Sequence, residues 1–204
     1  MSETGFMSKK KGKNKEKLTV RDYITLGMMM ILVYVVYTII GMPLATTIIG
    51  IIFMHAACSL LWGTIFMLMY VRVNKKWVPL IFGILIGIMQ IFNLWITAVA
   101  IVIGGIVVEI IWQRWNKKSF KTMTVCFSIQ IISWYLGIFI PLIVIGDIES
   151  IIAENYLELF IRVKELVTGP LFFIGLFSVI VCTIIGAFIG KGLLKKHFVK
   201  AGLV

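Results

Sequence analysis

LATTIIGIIFMHAACSLLWGTIFMLMYV, Leu44–Val71, runs for 28 residues without a charged side chain and ends on Arg72-Val73-Asn74-Lys75-Lys76. About 20 mainly apolar residues suffice for a helix to cross roughly 30 Å of hydrocarbon. This stretch is long enough to cross with tilt. The rest of the chain repeats the pattern. Further apolar stretches cover Tyr23–Met42, Val78–Phe92, Trp95–Trp112, Met123–Ile145 and Pro170–Ile189, giving six candidate spans. Pro43 is expected to end the first. Pro79 and Pro170 fall where a first helical turn accepts proline, because its missing N–H has no helical partner there. Apolar residues make up 60% of the 204 and charged residues only 14%, against roughly 45–50% and 25% in soluble domains. Water-soluble, disordered and disulfide-stapled classes are excluded on that ground.

The charges order these spans. Residues 1–22 carry seven cations. The segments after spans two and four carry Arg72, Lys75 and Lys76, then Arg114, Lys117, Lys118 and Lys121; the tail carries Lys191, Lys195, Lys196 and Lys200. A six-span path puts 18 of the 20 cations on one side, leaving only Arg162 and Lys164 opposite. Excess Lys and Arg marks the cytoplasmic side, so both termini are expected in the cytoplasm of a bacterial cell with the chain in its inner membrane. The net charge of +11 therefore reports orientation, and nucleic acid is not an expected partner. Three regions result: a basic cytoplasmic segment 1–22, a six-helix membrane domain 23–190, and a basic tail 191–204. The first span is too long for a signal h-region and lacks a small-residue cleavage site, so it is expected to be retained.

Between spans five and six, Ile148, Ile151, Ile152, Leu159 and Val163 recur at three- and four-residue steps with polar residues opposite. This predicts an amphipathic extracellular helix over 148–167, within the connecting segment 147–169, lying on the outer face or capping the bundle. It reads either as a surface connector or as a lid.

Catalytic signatures are missing. The nearest string to a phosphate loop, Gly186–Gly192, has the wrong glycine spacing and no Ser or Thr after Lys191. There is no H-E-x-x-H and no G-x-S-x-G. Cys58, Cys126 and Cys182 all lie in apolar stretches with no metal-binding spacing and read as buried structural thiols. No enzyme, cofactor or metal is expected. Glu109, the only acid inside a span, lies about one turn from Gln113 and Arg114 and reads as a partnered interfacial acid or as a contact for a partner protein.

Polar side chains inside hydrocarbon must find partners or face a cavity. Span two puts His55, Ser59 and Trp62 on one face; span three ends with Gln90 and Asn93, followed by Trp95; span five carries Gln130, Trp134, Gly137 and Pro141 in one stripe. These positions favour an outward-open pocket in which His55, Gln90, Asn93, Trp95, Gln130 and Trp134 hold a planar, neutral or weakly ionised molecule. The competing reading is interhelical hydrogen bonding. Trp95 reads equally as an interfacial belt residue, as Trp77, Trp112 and Trp115 do on the inner side. Gly83-x-x-x-Gly87 and Gly186-x-x-x-Gly190 mark close helix contacts.

Lys17-Leu18-Thr19-Val20-Arg21-Asp22-Tyr23-Ile24 leading into span one, Met42-Pro43 at its end, the Arg72–Pro79 loop, Gly83 and Gly87 resemble the Trep_Strep family of bacterial membrane proteins, which is grouped with the substrate-binding S components of energy-coupling factor (ECF) transporters. The resemblance covers nearly the whole chain after residue 16. It implies an S-component-like bundle that captures a vitamin or similar micronutrient. It also implies docking onto an ECF transmembrane coupling subunit carrying two ATPase subunits. Docking in related S components uses Ala-x-x-x-Ala on the first helix; here Gly27 fits that pattern and Ile31 departs from it. The alternatives are a non-transporting membrane scaffold or regulator, and a stand-alone small-molecule carrier.

Overall fold

A computed structural model describes residues 17–91, 94–145, 152 and 157–198, without the side chains of residues 197 and 198. Seven helices build it: α1 Val20–Ala45, α2 Ile48–Arg72, α3 Val78–Gln90, α4 Trp95–Arg114, α5 Phe120–Val144, α6 Leu157–Val167 and α7 Pro170–Leu193. A π-helical turn, Leu194–Phe198, extends the last. The described residues contain no strand. Five of the helices, α1, α2, α4, α5 and α7, are long and apolar enough to cross a membrane. The apolar α3 has 13 residues, about 20 Å at 1.5 Å per residue, so the expected third span is shorter than the hydrocarbon layer.

Two helix boundaries differ from expectation. Pro43 does not end α1. The chain widens into a π-helical turn over Tyr37–Gly41 and re-forms an α-helical turn at Met42–Ala45, with Pro43 as its second residue. α2 begins at Ile48 rather than Leu44 because Thr47 is extended and its Oγ1 accepts the Gly50 N–H at 3.1 Å, an N-cap.

α2 is the hub. It buries 16 of its 25 residues and packs against α1, α5, α6 and, most extensively, α7. An added Cβ at Gly63 would fall on the Gly186 backbone, and one at Gly186 on the Ser59 carbonyl. Only glycine permits that approach, so the Gly186–Gly190 pair is consumed by α2 within the bundle. Gly83 and Gly87 of α3 face α4 at a looser approach, where an added Cβ would lie 3.1 Å from the Gly105 Cα and 3.1 Å from the Val102 side chain. α3, α4 and α5 follow as antiparallel neighbours.

The loops bring Lys75 against Asp22 at 2.6 Å, and the Lys75 carbonyl accepts the Trp112 indole N–H at 2.9 Å. Trp112 is fully buried with its ring on Tyr70. It is a core residue pinning the α2–α3 loop, not the lipid-facing belt residue its position suggests; Trp77 and Trp115 are exposed. The helix ends bearing Arg72, Arg114 and Lys191 thus form one basic end.

α6 covers the opposite end. Val163 and Val167 are buried, while Glu158, Arg162 and Glu165 are exposed, and the Lys164 Nζ donates to the Ile145 carbonyl at 2.9 Å. The apolar face of the expected amphipathic helix therefore points at the bundle. Its first half, apart from Ile152, lies outside the described residues.

Candidate functional site

At the end away from the basic loops, a cavity of about 330 Å³ opens between the helix termini. Tyr37, Met42 and Ala45 of α1 form one wall, and Ile51 and Met54 of α2 another. Gln90 closes α3's side, Thr97 α4's and Ile138 α5's, while Phe160 of α6 reaches in from above. Small-molecule sites run from roughly 300 to 1,000 Å³, mostly apolar with a few polar groups. This cavity meets the lower bound and has that character. Its polar residues are Tyr37, Thr46, Gln90 and Thr97. Both threonine hydroxyls already donate to backbone carbonyls, Thr97 to Gly137 at 2.9 Å and Thr46 to Pro43 at 2.7 Å. Tyr37 stands at the first position of the π-helical turn, a feature that recurs at functional sites.

A ring cluster lies beneath Tyr37. Tyr37 packs on Trp134 with centroids 5.8 Å apart, Trp134 stacks on Trp62 at 5.0 Å, and His55 meets Trp134 edge-on at 5.3 Å. The Trp62 indole donates to the Val33 carbonyl at 3.0 Å, tying α2 to α1. Both ring nitrogens of His55 and the Trp134 Nε1 are buried without a hydrogen-bond partner among the described residues.

The six residues singled out in the sequence thus separate. Gln90 lines the cavity. His55 and Trp134 belong to the ring cluster behind its Tyr37 wall. Gln130 lies deeper, where its Nε2 donates to the Ile101 carbonyl at 3.1 Å, an interhelical tie between α5 and α4. Trp95 is 56% exposed at the start of α4, the position of an interfacial tryptophan. Asn93 lies outside the described residues. Sequence reasoning missed Tyr37, Thr97 and Phe160. A threonine in the first turn of an apolar helix and an aromatic on the apolar face of α6 were the available signals for the last two; for Tyr37 there was none, because its place depends on the π-helical turn.

The docking pair lies elsewhere. An added Cβ at Gly27 would meet nothing within 4 Å, and Ile31 is exposed. Both face outward from the bundle on α1. Among the described residues, no group of three or more His, Cys, Asp and Glu side chains could hold a metal.

A helical bundle with five such apolar helices, most of its lipid-level surface Ile, Val, Leu and Phe, is an integral membrane protein. The chain belongs to the Trep_Strep family, described as hypothetical bacterial integral membrane proteins, whose family model matches residues 20–200. No curated protein and no solved structure matches the chain.

Proposed function

We propose that this protein is the membrane-embedded substrate-binding subunit of a bacterial ECF-type importer for a vitamin or similar micronutrient. The observation that carries this reading is the cavity at the end away from the basic loops, with Gln90 and Tyr37 in its wall and Phe160 over it. In the full reading α3 completes a six-span path with the help of the residues that follow it. Both termini then lie in the cytoplasm of the inner membrane, and the cavity faces outward. The chain carries no phosphate-binding loop and performs no chemistry of its own. Energy comes from two partner ATPase subunits through a transmembrane coupling subunit that docks on the open α1 face around Gly27 and Ile31. The apolar lining and the neutral amide and hydroxyl groups suit an uncharged or weakly ionised ligand.

The test is retention of ligand. The purified chain should carry a small molecule that native mass spectrometry detects and denaturation releases. Ala45→Trp, which fills the cavity from a half-buried position at the end of α1, should abolish retention while the melting temperature in detergent stays near the parent's. A folded Ala45→Trp protein that retains the molecule equally would remove the cavity from the mechanism. A non-transporting scaffold would retain none.

A further inference from the structure

A second cleft, of about 320 Å³, sits at the basic end between the start of α3 and the end of α4. Its floor is apolar: Leu80, Ile106 and Ile110. Its polar rim is Trp77, Glu109, Gln113 and Arg114. Glu109 is only 3% exposed. One of its carboxylate oxygens, Oε1, accepts the Trp77 backbone N–H at 2.8 Å and the Gln113 Nε2 at 2.7 Å. The other, Oε2, is buried with no donor among the described residues. Buried carboxylate oxygens normally have partners, and this one lies in a residue that lines an open cleft.

The surroundings specify the missing donor. Trp77 holds φ at +71°, a left-handed conformation rare outside glycine and asparagine, and its N–H is held there by Glu109. That geometry leaves the Trp77 ring 54% exposed beside the carboxylate. Arg114 puts a fixed positive charge on the same rim. The floor continues along α4 through Ile103, Ile106 and Ile110, all exposed on the outside of the bundle, where a membrane protein meets acyl chains. The site therefore offers an apolar track, an aromatic ring at interface level, a cation for a phosphate, and a carboxylate oxygen needing an N–H.

We infer that this cleft binds a phospholipid whose headgroup carries a primary ammonium. The acyl chain lies on Ile106 and Ile110, the phosphate faces Arg114, and the ammonium donates to Glu109 Oε2. Basic pockets between transmembrane helices recognise headgroup phosphates in general; the buried carboxylate oxygen without a donor among the described residues adds selectivity. A choline headgroup has no N–H to give, and a glycerol headgroup brings no cation. This inference requires only that the chain spans a membrane and is independent of the transport reading.

The full-length protein, purified in detergent, would be titrated with phosphatidylethanolamine, phosphatidylcholine and phosphatidylglycerol of identical acyl chains and read by native mass spectrometry. Phosphatidylethanolamine should bind about tenfold more tightly than phosphatidylcholine, the size of one charge-assisted hydrogen bond. Glu109→Gln keeps an acceptor for the Trp77 and Gln113 donors but turns an amide toward the ammonium, so the preference should vanish. Ile110→Trp blocks the floor from an exposed position without touching the polar network, and should lower phosphatidylethanolamine retention with the melting temperature held. Equal retention of the three lipids by the parent would overturn the inference, as would a preference that survives both substitutions. So would retention that emerges only after residues 2–16 are removed, which would give the cleft to the chain's own basic segment.

Discussion

Gln90 and Gln130 are the same residue type in neighbouring apolar helices, and their surroundings divide them. Gln130 spends its amide on the Ile101 carbonyl between α5 and α4, whereas Gln90 lines the outer cavity. Gln130→Leu should therefore lower stability by about 0.6 kcal/mol, the average for an interhelical hydrogen bond in a membrane, and leave ligand affinity unchanged. Gln90→Leu should weaken binding of the co-purified molecule several-fold, about 0.5–1.5 kcal/mol, as isothermal titration with the released ligand would show. Equal effects of the two substitutions on affinity would contradict this division. Sequence alone marks both glutamines, because an amide in an apolar run is conspicuous. It cannot rank them, because the difference is one of place: Gln130 stands between two helices and Gln90 at the cavity wall. Trp112 shows the same limit: its place near basic residues suggests an interface, yet the Lys75 carbonyl folds back over it and buries it.

At the scale of elements, small residues divide into those the bundle uses and those it leaves open. Gly186 lies against the α2 backbone, so Gly186→Leu should separate α2 from α7. Overpacking of this kind costs about 1–3 kcal/mol, readable as a lower melting temperature in detergent. Gly27→Leu, with nothing within 4 Å of its Cβ, should leave that temperature unchanged and reduce co-purification of a coupling subunit. Unimpaired co-purification would move the docking face off α1. The five long apolar helices were legible, since runs of 20 apolar residues admit little but a helix. Boundaries were less so. Pro43 reads as a stop, but a π-helical turn before it lets α1 continue, and that turn places Tyr37 in the cavity wall. Such a turn has no signature in residue types, being a response of the whole helix to its neighbours. The cavity was legible only through its polar members, since its walls come from six helices that converge in space and not in sequence.

At the scale of the whole molecule, the proposed reading puts the basic end in the cytoplasm, the side on which excess Lys and Arg collects. With Cys58, Cys126 and Cys182 replaced, single cysteines at Lys75 and Lys118 should resist impermeant thiol reagents in intact cells. One at Glu158, exposed on α6, should react. Reaction at Lys75 or Lys118 from outside would invert the bundle and turn the cavity inward. Reconstitution separates a chain that binds a substrate for other subunits to move from one that moves it alone. Liposomes containing the chain with its coupling subunit and ATPases should accumulate the co-purified molecule only with ATP and an intact ATPase site, while the chain alone binds that molecule without accumulating it. Accumulation by the chain alone, without ATP or partner subunits, would contradict the account.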